Sequence, residues 1–190
     1  MNITPDLRLA LPVRVSETGA PLIWAYHTPI SSEVFTANYR TIAAAKHAIF
    51  KNGPAYAADN GPRIAGLALL DAGAADARET GGEDGSASLL AEIKRLTMIL
   101  SPLETGVDAL PVDVAIARGT IDKDDWAECE AGIVFFTLGF TMVRRAGKPI
   151  VGRSLAAIFG GSTTSLSPTE FLASLPTSTE DETTATKAEA

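Results

Sequence analysis

Residues 131–143, AGIVFFTLGFTMV, constrain this chain more than any other stretch. The run is apolar except for Gly132, Gly139, Thr137 and Thr141. A bilayer span needs roughly 20 such residues, so this shorter run predicts a buried helix and no membrane crossing. Asp122, Asp124, Asp125 and Glu128 crowd its start, while Arg144, Arg145 and Lys148 follow its end. That order suits the helix dipole and predicts a central helix over 123–146, capped by Thr120-Ile121-Asp122. A chain of 190 residues can enclose such a helix in one domain with a sizeable core. Only 6% of residues are aromatic and alanine is abundant, which predicts a helix-rich interior with small contacts.

The exception lies near the N-terminus. Leu7, Leu9, Leu11, Val13 and Val15 alternate with Arg8, Ala10, Pro12 and Arg14, a period of two. A turn at 17–20 contains Gly19, and Leu22-Ile23-Trp24-Ala25-Tyr26 returns. This predicts a β-hairpin over about 6–27. Pro12 places its first strand at an edge, open to self-association or strand addition. The expected fold class is therefore mainly α with an N-terminal β-hairpin (α+β).

Further helices are expected around this frame. Thr28-Pro29-Ile30-Ser31-Ser32-Glu33 starts one that runs to Asn52 and stops at Gly53-Pro54. Phe35, Tyr39, Ile42, Ile49 and Phe50 form its apolar face, with Lys46 reaching along it. An Ala-rich helix over 63–78 has poor apolar periodicity. Leu89, Ile93, Leu96 and Leu100 predict a helix over 88–100, and Pro111 and Gly119 bracket a short one within 107–119. A last helix covers 149–159.

Beyond residue 160 the composition changes. Residues 161–190 are rich in Ser and Thr, and from Thr177 four carboxylates face one lysine, which supplies −3 of the net −7. This predicts a compact domain over 1–160 and a flexible tail over 161–190. Within the tail an apolar island at 169–175 carries Phe171, Leu172 and Leu175 in a one- or two-turn helix. The island either folds back on its own core or docks on a partner. In the second case its removal, by deleting 161–190, leaves the fold intact. Trp24 and Tyr26 on the hairpin are the other candidate partner-binding residues, with core packing as the alternative for Trp24.

No catalytic, metal or cofactor site is expected. Asp122 fails as the first ligand of a calcium loop, because Trp126 and Ala127 fall where an oxygen ligand and Gly belong. His27, His47 and Cys129 lack the spacing of a zinc set. Cys129 with a distant histidine reads better as core packing than as a nucleophile pair. Residues 152–156, GRSLA, lack the second Gly of a nucleophile elbow. Gly147-Lys148-Pro149 lacks the upstream Gly of a phosphate loop, and Gly160-Gly161 offers no substitute. The single cysteine fits a reducing compartment, and no secretory signal is read at the N-terminus, so a cytoplasmic location is expected. A net charge of −7 without a basic run argues against nucleic acid.

Three stretches carry a resemblance. Thr28-Pro-Ile-Ser-Ser-Glu-Val-Phe35 with the following helix, residues 122–145, and residues 164–179 resemble tail assembly chaperones of long-tailed bacteriophages and prophages. The likeness is diffuse and covers most of the chain. It implies a non-catalytic, largely helical protein of the host cytoplasm that is absent from the finished particle. The implied partners are the tape-measure protein and the major tail protein, whose tail-tube subunits it helps recruit. A longer frameshifted form and homo-oligomers are further implications. The alternative is a structural virion component, a tail or head-completion protein whose hairpin strands pair between subunits.

Overall fold

The computed structural model describes residues 7–15, 21–103 and 106–175. Among them the hairpin strands β1 (Arg8–Val15) and β2 (Pro21–His27) pair antiparallel, with Leu11 opposite Ala25 and Ala10 opposite Tyr26. The register shifts between Pro12 and Arg14, which leaves Val13 as a bulge. The turn at 17–20 lies outside the described residues. The mixed α+β class holds, but the hairpin is the interior of a larger sheet. β3 (Thr97–Leu103), β4 (Gly106–Pro111) and β5 (Ser162–Thr164) complete it in the antiparallel order β4-β3-β2-β1-β5. The expectation that β1 is an edge needs correction, since β5 pairs with its Arg8, Leu9 and Ala10. Pro12 lies beyond the last β5 partner, so its missing N–H breaks no ladder there.

The helices follow the sequence in outline and depart from it at their ends. α1 (Ser32–Ala37) and α2 (Tyr39–Phe50) are two elements broken at Asn38, where one continuous helix was expected. Ser31 caps the first by accepting the Val34 N–H. Ile42 and Ile49 are fully buried, while Tyr39 is exposed. α3 (Pro54–Thr80) is far longer than expected at 27 residues, and it carries Pro62 internally. α4 (Ser86–Arg95) stops short of the expected Leu100, because Thr97 turns the chain into β3 beside β2. α5 (Val112–Ala117) is the short helix expected within 107–119, with Pro111 at its N-cap and β4 before it.

α6 (Lys123–Phe140) is the buried helix that the apolar run predicts. Its eight residues from Ile133 to Phe140 are all buried. Asp122 and Asp125 form a reciprocal capping box at its start. It ends at Phe140 rather than near 146, and a 3₁₀ turn at Arg145–Gly147 leads into α7 (Lys148–Ala157). Helix α3 crosses α6 at Gly61, where a Cβ would stand 2.3 Å from the Phe135 ring. Lys46 reaches past this packing to the Gly139 carbonyl at 3.4 Å, and burial lowers its pKa.

A second correction concerns the tail. The boundary at 160 is not a structural one: β5 and then α8 (Pro168–Ala173) lie on the sheet. Gly161 permits this return, because a Cβ there would stand 2.6 Å from the Ala10 carbonyl oxygen. The remainder of the expected tail, 176–190, lies outside the described residues.

Candidate functional site

Strand alternation sends Leu9, Leu11, Ala25, Ile99 and Leu110 into the main core under the helices. The opposite face gathers Ala10, Trp24, Tyr26 and Leu100 into a second cluster, joined by Phe171. Trp24 faces Leu100 across the strands, and Tyr26 faces both Ala10 and Met98. α8 closes this face as a strap. Its Phe171 ring meets Trp24 edge-on at 5.1 Å and Tyr26 tilted at 5.8 Å.

The strap is anchored at its start. Ser167 and Glu170 form a capping box, and the Ser167 backbone and side-chain groups hold the Glu170 carboxyl below its usual range. The Leu166 carbonyl just upstream accepts the Tyr26 hydroxyl and an Arg8 N–H. The structure thus brings all five expected partner-binding residues to one place, where they face each other. Phe171 is 4% exposed, Trp24 7% and Tyr26 3%, while Leu172 and Leu175 pack half-buried at the margin. The fold-back alternative is the one observed. Trp24 Nε1 is buried there without a hydrogen-bond partner.

A surface the sequence reading missed lies on the opposite side of the core. Between α2 and α3 runs a groove of about 370 Å³. Ala44 and Ala48 form one wall, and Ile64, Leu67 and Ala68 the other. Leu67 is 65% exposed, and Leu70 and Tyr56 are exposed on the same helix. The poor periodicity of the Ala-rich segment was its only trace: α3 carries apolar residues on its inner and outer sides.

The groups with nucleophile or base chemistry are occupied structurally. Burial, with Asp125 and Glu128 nearby, pushes the Cys129 thiol up to about 12, away from a reactive thiolate. His27 is fully buried; desolvation lowers its pKa to about 3 in spite of the Ile93 carbonyl. The Thr97 hydroxyl donates to the Ile93 carbonyl at 2.8 Å, so His27 Nδ1 donates to Thr97 Oγ1 at 2.9 Å. His27 Nε2 is left unpaired, and His47 is exposed on α2. Burial pushes the Asp125 carboxyl up, but the Asp122 backbone N–H and the Arg14 guanidinium hold it below its usual range. No group of three or more His, Cys, Asp or Glu side chains among the described residues could hold a metal ion. No described helix is long and apolar enough to cross a membrane.

No protein-family model, curated protein or solved structure matches this chain.

Proposed function

We propose that this chain is a non-catalytic tail assembly chaperone of a long-tailed bacteriophage. It acts in the host cytoplasm, holds the tape-measure protein and brings tail-tube subunits to it. The resemblance at residues 28–50, 122–145 and 164–179 motivates the reading. The observation that carries it is the α2–α3 groove. A tape-measure protein offers long helical segments, and an apolar groove between two helices takes an amphipathic helix by its i, i+3, i+4 side chains. The stretch of α3 that lines the groove, Ile64 to Ala72, gives a wall about 12 Å long. The small Ala44 and Ala48 let a client backbone come close, and Leu67 supplies an exposed anchor. The net charge of −7 keeps a coated assembly soluble.

The structural-component alternative drew on a free hairpin edge. β5 covers Arg8 to Ala10 of β1 and β3 covers Trp24 to His27 of β2, so only the turn-side ends of the hairpin keep a free edge and that support is reduced.

Co-expression with the neighbouring gene products tests the proposal. The full chain captures a long helical tape-measure protein, Ala48→Glu and Leu67→Glu reduce that capture, and the chain is missing from purified particles. Presence in particles at fixed stoichiometry overturns the chaperone reading in favour of a virion component. Capture that is unchanged by both substitutions overturns the groove as its client surface.

A further inference from the structure

A cleft of about 530 Å³ opens where the start of β1, the loop before α1, and the link from α6 to α7 meet. Its volume falls in the range of roughly 300–1,000 Å³ typical of small-molecule sites. Arg8, Arg145 and Lys148 line it, and none of its lining residues is Asp or Glu. That is an unusual local balance in a chain with 23 acidic and 16 basic side chains. Neither Arg8 nor Lys148 forms an ion pair with a described carboxylate. Arg8 gives one N–H to the Leu166 carbonyl. The Lys148 ammonium stands 5.0 Å from the centroid of the Phe140 ring, which holds it at the cleft without neutralising it. Leu7, Ile30 and Phe140 supply an apolar floor. Ser31 accepts the Val34 N–H and keeps its own O–H as a donor, beside Ser32.

We propose that this cleft binds a small organic anion. A carboxylate or phosphate sits at the Lys148 ammonium, and an aliphatic or aromatic body lies on the Leu7, Ile30 and Phe140 floor. Each half of the site makes a separate demand. The cations reject a cationic or neutral head, and the floor rewards a body that a bare inorganic anion lacks. The site is separate from the α2–α3 groove and does not depend on the client reading.

The test is an NMR titration of the full chain with octanoate, hexyl phosphate, inorganic phosphate and octylammonium. Octanoate and hexyl phosphate give saturable shifts centred on Ile30 and Val143, at least about tenfold tighter than inorganic phosphate, and octylammonium gives none. Lys148→Gln weakens both organic anions by about fivefold or more. Ser32→Glu abolishes their binding. Glutamate in the first turn of α1 suits the helix dipole, so this second variant keeps its fold. Absence of saturable shifts up to about 10 mM anion overturns the site. So does octylammonium binding equal to octanoate, or affinity unchanged in both variants. Inorganic phosphate binding as tightly as hexyl phosphate overturns the amphipathic ligand.

Discussion

The two faces of the sheet come from the same strands and are covered in different ways. On one face Leu9, Leu11, Ala25 and Ile99 meet a continuous helical layer whose centre is α6. On the other, Trp24, Tyr26 and Leu100 meet a six-residue helix that contributes one buried side chain, Phe171. Burial depth is similar on both sides, since Ile99 is 1% and Tyr26 3% exposed. The number of independent attachments differs. The helical layer is part of the whole core, whereas the strap is expected to open alone. Local opening of small units at a fraction of the global free energy is the expected behaviour of such an element.

The most damaging way to probe this contrast is to hollow out the helical side. Phe136 is 1% exposed and stacks on Phe140 at 4.8 Å. Phe136→Ala is expected to cost about 3–5 kcal/mol in urea unfolding, the penalty of a large core cavity. The next effect is the pH dependence that His27 gives to that side. The folded pKa of His27, about 3, lies below the ordinary 6.5, so the unfolded chain binds the extra proton between these values. The resulting stability is fully present above pH 6.5 and falls as pH drops towards 3, by at most about 1.4 kcal/mol per unit. Carboxylates titrate in the same window, so His27→Phe isolates the histidine. The variant's stability profile should be flatter there, and an unchanged profile would mean that the ring reaches solvent.

Phe171→Ala is expected to cost about 2 kcal/mol, less than Phe136→Ala, because the loss cannot exceed the free energy that docks the strap. Hydrogen exchange sharpens the point: amides of α8 should exchange well before those of α6. Equal costs and equal protection would show that the strap opens only with the global fold. Smallest of all, Asp122→Ala removes the acceptor for the Asp124 and Asp125 N–H groups and should cost about 1 kcal/mol.

What was legible in the sequence follows the same division. Local signals located α6, through its apolar run and Asp122 cap, and the start of α1 at Ser31. They also located the stop at Gly53, whose φ of +96° suits glycine. The strap helix itself was legible from Phe171, Leu172 and Leu175 behind Ser167 and Glu170. Its landing place was not, because nothing near residue 171 encodes Trp24 and Tyr26. β3 was misread for a related reason. Leu96 and Leu100 continue the helical spacing of Leu89 and Ile93, and pairing with β2, some 70 residues away, together with β4 turns 97–103 into strand. The expected partner-binding residues were chosen for being aromatic and apolar on small elements. That criterion found the cluster and could not tell that its members satisfy each other. The α2–α3 groove escaped because alanines carry little signal one at a time.

The return of β5 onto β1 also sets an order in time. β1 is made some 150 residues before the strand that completes it, since Arg8 pairs with Thr164 and Tyr26 waits for Phe171. Throughout synthesis the nascent chain therefore carries an uncovered aromatic face and a strand without its final neighbour. Such surfaces are where a growing chain meets the wrong partner. A ribosome stalled before residue 162 would release a polypeptide with the residues of α1 to α7 made and one side of its sheet open.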